Sequence, residues 1–149
     1  MNRINRKVEY SLLALKHMSS KRPGELTSAK EICHATGAPF DATSRVMQLM
    51  AQKGILKSEH GAQGGYQIIK DLSRVSLYEV IATSVGPLEI VKCVSGAEDC
   101  DLFNKCGIQS PLNDLNIRLK GFYEELSIAE LLKIDNKTES VEWPNQQKI

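Results

Sequence analysis

The sequence has few aromatic side chains, no long apolar run and no signal peptide. Phe, Tyr and Trp make up 5% of the 149 residues, so aliphatic side chains must fill the core. No apolar stretch approaches the roughly 20 residues that cross a bilayer, and the N-terminus lacks the hydrophobic stretch of a secretory signal. We therefore expect a cytoplasmic protein without a membrane segment, whose thiols are reduced.

A catalytic set of residues is also missing. The sequence contains no pair of catalytic carboxylates, no nucleophile beside a base and no phosphate-binding loop. The three histidines, His17, His34 and His60, are scattered, which favours surface or packing roles. We therefore do not expect an enzyme. The length suits one domain, or one domain with an appended helical element.

Charge is unevenly distributed along the chain. Residues 1–70 contain eleven Lys and Arg and five Asp and Glu, a balance of +6, whereas residues 71–149 contain eight and thirteen, a balance of −5. A basic half joined to an acidic half indicates that the first half binds a polyanion. A chance split of solvated faces is the alternative.

The basic half has the pattern of a helix-turn-helix. Apolar periodicity predicts a helix over residues 5–20, and Ser28 and Glu31 form a capping box that starts a second helix. A glycine-bearing turn leads into a third helix over residues 39–53, with Pro39 at its first position. The start of this helix carries exposed side chains of the kind that read base edges in a major groove: Asp41, Thr43, Ser44, Arg45 and Gln48.

Other residues of these helices are expected to face the core. On the third helix the buried side is predicted to hold Phe40, Val46, Met47, Leu49 and Met50. Cys33, which stands apart from the other three cysteines, is expected to be a small buried hydrophobic residue of the second helix.

A β-hairpin is predicted directly after the third helix. Residues 55–59 and 66–69 have the pattern of two strands joined by a glycine-rich turn. A hairpin in this place is a wing, and glycines at its tip let the backbone approach phosphates or a narrow minor groove. We therefore include three tip residues among the candidates for DNA contact: His60, Gln63 and Gly64.

Three of the four cysteines fall within fourteen positions in the pattern C-x6-C-x5-C, as Cys93, Cys100 and Cys106. The residues between them are small, polar or acidic, which predicts a loop. Thiolates bind soft metals and iron–sulfur clusters, and one loop can wrap three sulfurs around such a centre. Zinc is one alternative, although its cysteine pairs usually have shorter spacings. Ordinary loop thiols, or a disulfide plus a spare thiol, are another.

The C-terminal part is predicted to be helical. Ser110 and Pro111 have the pattern of an N-cap and a first helical residue, and apolar residues then recur at steps of three and four: Leu112, Leu115, Leu119, Phe122 and Leu126. This seam could pack within its own domain, but the N-terminal part has its own core residues, which favours a dimerisation helix. Capping boxes at Ser76 and Ser127 start two further helices.

The predicted fold is therefore mainly α-helical with a small β-wing. A winged helix-turn-helix DNA-binding domain (1–86) is followed by the cysteine-bearing loop (87–109). A long dimerisation helix and a short final helix come next (110–134), and a polar segment without periodicity is predicted to be a flexible tail (135–149).

The order of these parts resembles the Rrf2 family of bacterial transcription regulators, which includes IscR-type and NsrR-type iron–sulfur repressors. The resemblance runs from about residue 3 to residue 133. It rests on the glycine-rich wing followed by the cysteine loop, together with the stretches at 54–58, 75–81 and 127–131.

The resemblance implies a homodimer that binds palindromic, double-stranded promoter DNA. It implies that the three loop cysteines hold a two-iron or four-iron cluster in each subunit, and that the state of this cluster changes DNA affinity. By position, Asp41, Ser44 and Arg45 match the recognition-helix contacts of the family, and residues 60–65 match its wing.

The chain departs from the family pattern in its ligands and its wing. IscR-type members have a histidine three positions after the last cysteine, where this chain has Gln109, and an amide is a poor iron ligand. NsrR-type members instead use an acidic residue of the first helix, donated by the partner subunit, and Glu9 matches that position. The wing has His60 where the family usually has a basic residue, and the x6 gap is one residue longer than the commonest family spacing.

These features together predict a dimeric transcription regulator, by family analogy a repressor. Its DNA affinity would respond to nitric oxide, redox state or iron status through the cluster. One alternative is a thiol-based or zinc-based transcriptional switch without a cluster. Another is a small iron–sulfur electron carrier, which would have no need for a helix-turn-helix, a wing and a basic half.

Overall fold

The structure is a computed structural model that describes residues 3–94, 96 and 100–134; the predicted tail lies outside these residues. Within them the chain forms six α-helices and one antiparallel pair of strands, in the order α1 (Arg6–Ser19), α2 (Ala29–Thr36), α3 (Phe40–Gln52), β1 (Leu56–Glu59), β2 (Gly65–Ile68), α4 (Leu77–Val85), α5 (Gln109–Glu125) and α6 (Ile128–Leu131). The predicted mainly helical fold with a small β-hairpin is thereby confirmed. No helix of the described part is long and apolar enough to cross a membrane.

Serine residues begin three of the helices. Ser28, Ser76 and Ser127 are the N-caps of α2, α4 and α6, and each serine Oγ accepts a 3.1 Å hydrogen bond from the backbone N–H three residues later. The prediction from the three capping boxes is confirmed, because this bond satisfies a donor that the helix itself leaves unpaired. Pro39 is the N-cap of α3 instead of its first residue.

The Glu31 carboxylate links α1 to α2. Its Oε1 lies 2.9 Å from His17 Nε2 and 2.5 Å from Lys21 Nζ. Hydrogen bonds from His17 and Lys21 hold the pKa of Glu31 below its usual range. The carboxylate therefore remains ionised throughout the neutral range and joins the end of α1 to the first helix of the helix-turn-helix.

Aliphatic and methionine side chains fill the core between α1, α3 and α4, as the shortage of aromatics predicts. Its largest fully buried members include Leu15, Ile32, Met47, Met50 and Ile55. The prediction for α3 is wrong for Phe40, which is 48% exposed because it lies at the edge of the buried face in the first turn. Cys33 is only partly buried, since Ala29 and Ile32 are the residues of α2 that enter the core.

The wing is attached to the segment that precedes α2. Thr27 and Tyr66 exchange two backbone hydrogen bonds of 2.9 Å, and the register of the hairpin pairs Glu59 with Gly65. The approach at Gly65 is close: a Cβ atom there would lie 2.9 Å from the carbonyl oxygen of Thr27. Only glycine allows the two backbones to meet at this point without a shift.

Replacement of Gly65 by alanine is therefore expected to destabilise the protein. The added methyl group must displace the backbone of Thr27, which costs about 1–3 kcal/mol and lowers Tm by roughly 2–10 °C. Gly107→Ala is the matched control, because a Cβ at Gly107 meets nothing within 4 Å. Thermal unfolding followed by circular dichroism compares the two. Equal Tm values for both variants would contradict the close approach.

The C-terminal part of the chain returns to the N-terminal core. The N–H of Leu77 donates to the carbonyl of Leu126, and the N–H of Ile128 donates to the carbonyl of Val75, both at 2.8 Å. The side chain of Ile128 is fully buried among the core residues. At the end of α6, Lys16 Nζ donates to the carbonyl of Leu132 at 2.8 Å. The last helix is thus part of the same packed unit as α1 and α4.

The long helix α5 begins earlier than predicted. Ile108 is its N-cap and makes no side-chain cap, so Ser110 lies inside the first turn and the expectation that it caps the helix is wrong. Pro111 occupies the third position, where its missing N–H removes no intrahelical bond. The seam side chains Leu115 and Phe122 are exposed in the single chain. A role of α5 in dimerisation remains a prediction.

Candidate functional site

The exposed face of α3 carries most of the predicted DNA-contacting side chains. Asp41, Arg45 and Gln48 are exposed and Ser44 is partly buried. At about 100° per residue these four positions lie within one arc of about 100°. The buried residues Val46, Met47 and Met50 occupy the opposite side of the helix. The structure therefore brings four of the five candidates together on one surface.

Thr43 does not belong to this surface. Its side chain is fully buried, and its Oγ1 has no hydrogen-bond partner among the residues that the structure describes. Position 43 falls on the helical face that packs into the core, together with Val46 and Met50. The expectation that Thr43 is exposed is therefore wrong, because residues at the start of a helix are divided between its two faces like any others.

Thr43→Val tests this placement. Valine has the same shape and removes a buried hydroxyl without a partner, so the free energy of unfolding should stay the same or rise by up to about 1 kcal/mol. DNA affinity should be unchanged. The matched variant Gln48→Ala, on the exposed face of the same helix, should weaken DNA binding. Thermal unfolding and fluorescence anisotropy with DNA measure the two effects; reduced DNA affinity of Thr43→Val at normal stability would contradict the buried placement.

A left-handed glycine sets the angle between α2 and α3. Gly37 has φ of 76° and ends α2 by donating its N–H to the carbonyl of Cys33 at 2.9 Å. Thr36 Oγ1 accepts a hydrogen bond from the N–H of Ala38. These contacts fix the short turn between α2 and α3.

The tip of the wing presents His60 and Gln63 to solvent, whereas Gly64 is partly buried. A Cβ on Gly64 would lie 2.5 Å from the carbonyl oxygen of Glu59, so internal packing of the hairpin already requires this glycine. On β1, Lys57 Nζ lies 2.9 Å from Glu59 Oε1. This hydrogen bond raises the pKa of Lys57 and lowers that of Glu59. The pair is neutral overall, so it adds little positive charge to the wing.

The three loop cysteines are free and partly buried. Cys93 lies in a 3-10 turn, Lys92–Val94, and Cys100 and Cys106 flank a second one, Phe103–Lys105. The carbonyl of Cys100 accepts from the N–H of Phe103 at 3.1 Å. Within residues 3–94, 96 and 100–134, no group of three Cys, His, Asp or Glu side chains is assembled for one metal ion. The loop therefore offers three thiols whose sulfurs are not gathered at one point in the single chain.

A pocket of about 380 Å³ opens beside Cys93, lined by Gln109, Ser110 and Asn113 from the first turns of α5. The structure thus places the Gln109 amide, which stands where IscR-type regulators have a histidine, next to the first cysteine of the loop. The other lining groups are a hydroxyl and a second amide, so the Cys93 thiol is the soft donor among these four lining residues.

Sequence reasoning missed Asn116. It is the buried residue of α5, at 6% exposure, and its Oδ1 accepts a 3.1 Å hydrogen bond from the N–H of Ile90. Ile90 is three residues before Cys93, so this bond fixes the start of the cysteine loop to the middle of α5. The sequence did contain a signal: Asn116 lies four residues after Leu112 and three before Leu119, a spacing that places it on the same helical face as these two leucines.

Glu9 lies in the first turn of α1 and is partly exposed. Its Oε2 accepts a hydrogen bond of 2.7 Å from Arg6 Nη1. An ion pair on the surface contributes little stability, about 0–1 kcal/mol. The carboxylate of Glu9 can therefore leave Arg6 for another partner at small cost.

A buried hydrogen bond joins α1 to α4, two residues beyond Glu9. Ser11 Oγ and Ser84 Oγ lie 2.8 Å apart, and each hydroxyl is also within bonding distance of a backbone carbonyl four residues earlier in its own helix, that of Lys7 or Val80. The two hydroxyl protons can satisfy two of these three contacts at a time. The contact links the helix that carries Glu9 to the helix that leads into the cysteine loop.

Comparison with known proteins gives consistent matches over most of the chain. A family model described as Rrf2, iron-dependent transcriptional regulator, matches residues 4–134. The transcriptional regulator NsrR of Bacillus subtilis is 24% identical over 126 residues, which cover 84% of this chain and 86% of NsrR. The transcriptional regulator IscR of Escherichia coli is 24% identical over 130 residues, which cover 87% of this chain and 80% of IscR.

A solved structure supports the fold. CymR, described as the global cysteine regulator of B. subtilis, matches with a TM-score of 0.68 at 19% identity and covers 91% of this chain and 100% of CymR. At this identity the similarity shows that the two proteins share a fold.

Proposed function

Because the chain belongs to the Rrf2 family of transcriptional regulators, we propose that it is a homodimeric repressor whose affinity for DNA is controlled by an iron–sulfur cluster. The cysteine loop would hold the cluster, and α3 with the wing would bind a palindromic promoter. Nitric oxide, redox state or iron supply would be the signal.

The observation that carries this proposal is the arrangement of the three loop thiols. Cys93, Cys100 and Cys106 are free, partly accessible and confined to one loop. The loop leaves the packed core after α4 and re-enters a helix at Gln109. Three thiolates on one loop fit an iron–sulfur cluster by their softness and number, and they leave one coordination position for another group.

Glu9 of the partner subunit is the group that we propose for this position. Among the residues that the structure describes, its carboxylate is bound only to an exposed arginine, Arg6, and that pair is easily given up. A carboxylate is a harder ligand than a thiolate, so its bond to a sulfur-ligated iron is the one most readily lost. The bound cluster would supply a centre that reacts with oxygen or nitric oxide.

The route from the loop to the DNA-binding face runs through two hydrogen bonds. Asn116 ties the start of the loop to α5 through the N–H of Ile90. Ser84 ties α4 to α1 through Ser11, and α1 packs directly against α3. A change in the position of Glu9 would move α1 and, with it, the recognition helix. Because two half-sites are read together, a small change in helix spacing reduces specific binding.

The second candidate function is a thiol-based transcriptional switch without a cluster. A zinc-based switch is a variant of this candidate. The observation that favours it is that the three loop thiols are free and only partly buried, so that an oxidant can reach them. The fold similarity to CymR suits either mechanism.

Removal of any one loop cysteine is expected to abolish iron binding. Cys93→Ala, Cys100→Ala and Cys106→Ala should each lose most of the iron and sulfide of the anaerobically purified protein, together with its visible absorption. Glu9→Ala should retain the cluster initially and lose it faster in air or nitric oxide, because only its weakest ligand is removed.

Cys33→Ala is the matched control, because Cys33 lies on α2, outside the loop. It should keep the iron, the sulfide and the spectrum of the unmodified chain. A colourless wild-type protein would reject the cluster, and bound zinc or a reversible two-electron thiol response would then favour the second candidate. Identical decay of Glu9→Ala and wild type would reject Glu9 as the ligand.

The role of α3 is tested by Arg45→Ala. If Arg45 reads a base, its loss should weaken binding to DNA sites selected from a random duplex pool by about 1–3 kcal/mol, with a much smaller effect on unrelated DNA. Arg74→Ala removes an exposed arginine outside α3 and should have little effect on either DNA. Anisotropy titrations at one fixed salt concentration provide the comparison. Equal losses of Arg45→Ala on both DNAs would indicate a phosphate contact instead.

A further inference from the structure

Phe40 is an exposed aromatic residue at the start of the recognition helix. It is the first residue of α3, and 48% of its surface is exposed. It does not cap the helix, since Pro39 is the N-cap. About half of this side chain is therefore free to contact a partner.

The position of Phe40 places it beside the polar reading face. At about 100° per residue, Phe40 lies about 20° around the helix from the buried Met47 on one side, and about 40° from Ser44 and 80° from Gln48 on the other. Side chains lean towards the N-terminus of their helix, so the ring projects from the end of α3 that enters the groove first. Phe40 therefore forms the apolar border of a surface otherwise made of Asp41, Ser44, Arg45 and Gln48.

In the major groove, the apolar group on a base edge is the C5-methyl of a pyrimidine. Thymine carries it in ordinary DNA, and 5-methylcytosine carries it in methylated DNA. Contact with a phenylalanine ring is one of the ways in which proteins recognise it. The ring and the methyl group both lose water on contact, and this gives the exposed ring of Phe40 a favourable partner.

We propose that Phe40 is a specificity-determining residue that contacts the C5-methyl group of a pyrimidine, thymine in unmodified DNA, in each half of the operator. The inference rests on DNA binding by α3 and extends it to the identity of a base. It does not depend on the cluster.

The test removes the C5-methyl group from the DNA and, separately, the ring of Phe40 from the protein. Sites are first selected from a random duplex pool with the full-length protein, purified without oxygen. Each thymine of the selected site is then replaced singly by deoxyuridine, and each cytosine singly by 5-methylcytosine. Binding is measured by anisotropy for wild type, Phe40→Ala, Phe40→Leu and the control Leu13→Ala, which shortens an exposed apolar side chain of α1.

One deoxyuridine position should weaken wild-type binding about three- to five-fold, the effect of one buried methyl group. Phe40→Ala should bind the thymine and deoxyuridine probes equally, Phe40→Leu should keep part of the difference, and Leu13→Ala should keep all of it. If tighter binding appears only at a 5-methylcytosine and depends on Phe40, the methyl group recognised is that of methylated cytosine.

Other outcomes overturn the proposal in distinguishable ways. If a site is selected but every substituted probe binds wild type equally, or if Phe40→Ala retains the full methyl effect, Phe40 does not read a methyl group. If no sequence is enriched at all, the proposed DNA-binding function fails and this inference fails with it. Where Phe40→Ala folds poorly, Phe40→Leu carries the comparison, and a wild type that binds every substituted probe equally overturns the proposal without either variant.

Discussion

The burial of Ile128 against the start of α4 is the contact on which the arrangement of the site depends. It closes the core with a residue from the far end of the chain, and backbone hydrogen bonds from Leu77 and Ile128 hold that end in place. The cysteine loop and α5 therefore form a segment that begins and ends on the same packed unit, with its two ends side by side. Both ends of this segment are therefore held by the same packed core.

Helix beginnings could be predicted from the sequence because local chemistry decides them. A serine Oγ and the N–H three residues later are enough to start a helix, and this pattern identified the starts of α2, α4 and α6. The start of α5 was missed because two start signals overlap there. Ser110 offers a cap, but a helix that begins at Gln109 places Pro111 where its missing N–H also costs nothing.

The faces of the helices were harder to predict than their ends. Phe40 and Thr43 both stand in the first turn of α3, and their residue types suggest the reverse of what the structure has: the aromatic ring is exposed and the hydroxyl is buried. The position of a residue around the helix decides whether its side chain is buried. Which positions are buried depends on the angle at which α3 meets α1 and α4. That angle is set by Gly37 and by core packing, which the type of a single residue does not reveal.

The hydrogen bond between α1 and α4 is of the size that the proposed regulation would need. A tenfold change in DNA affinity corresponds to about 1.4 kcal/mol, and one intramolecular hydrogen bond contributes a net 0.5–1.5 kcal/mol. The buried hydrogen bond between Ser11 and Ser84 is of this size. The two hydroxyl protons are available to three contacts, so they can pair in more than one way. If α1 rotates slightly, the proton of the inter-helix bond can turn to the backbone carbonyl of its own helix, which exchanges one hydrogen bond for one and leaves neither hydroxyl proton unpaired. Two alternative hydrogen-bond arrangements at the α1–α4 contact would give a cluster ligand on α1, which we propose to be Glu9, a means to shift the position of the DNA-binding helices.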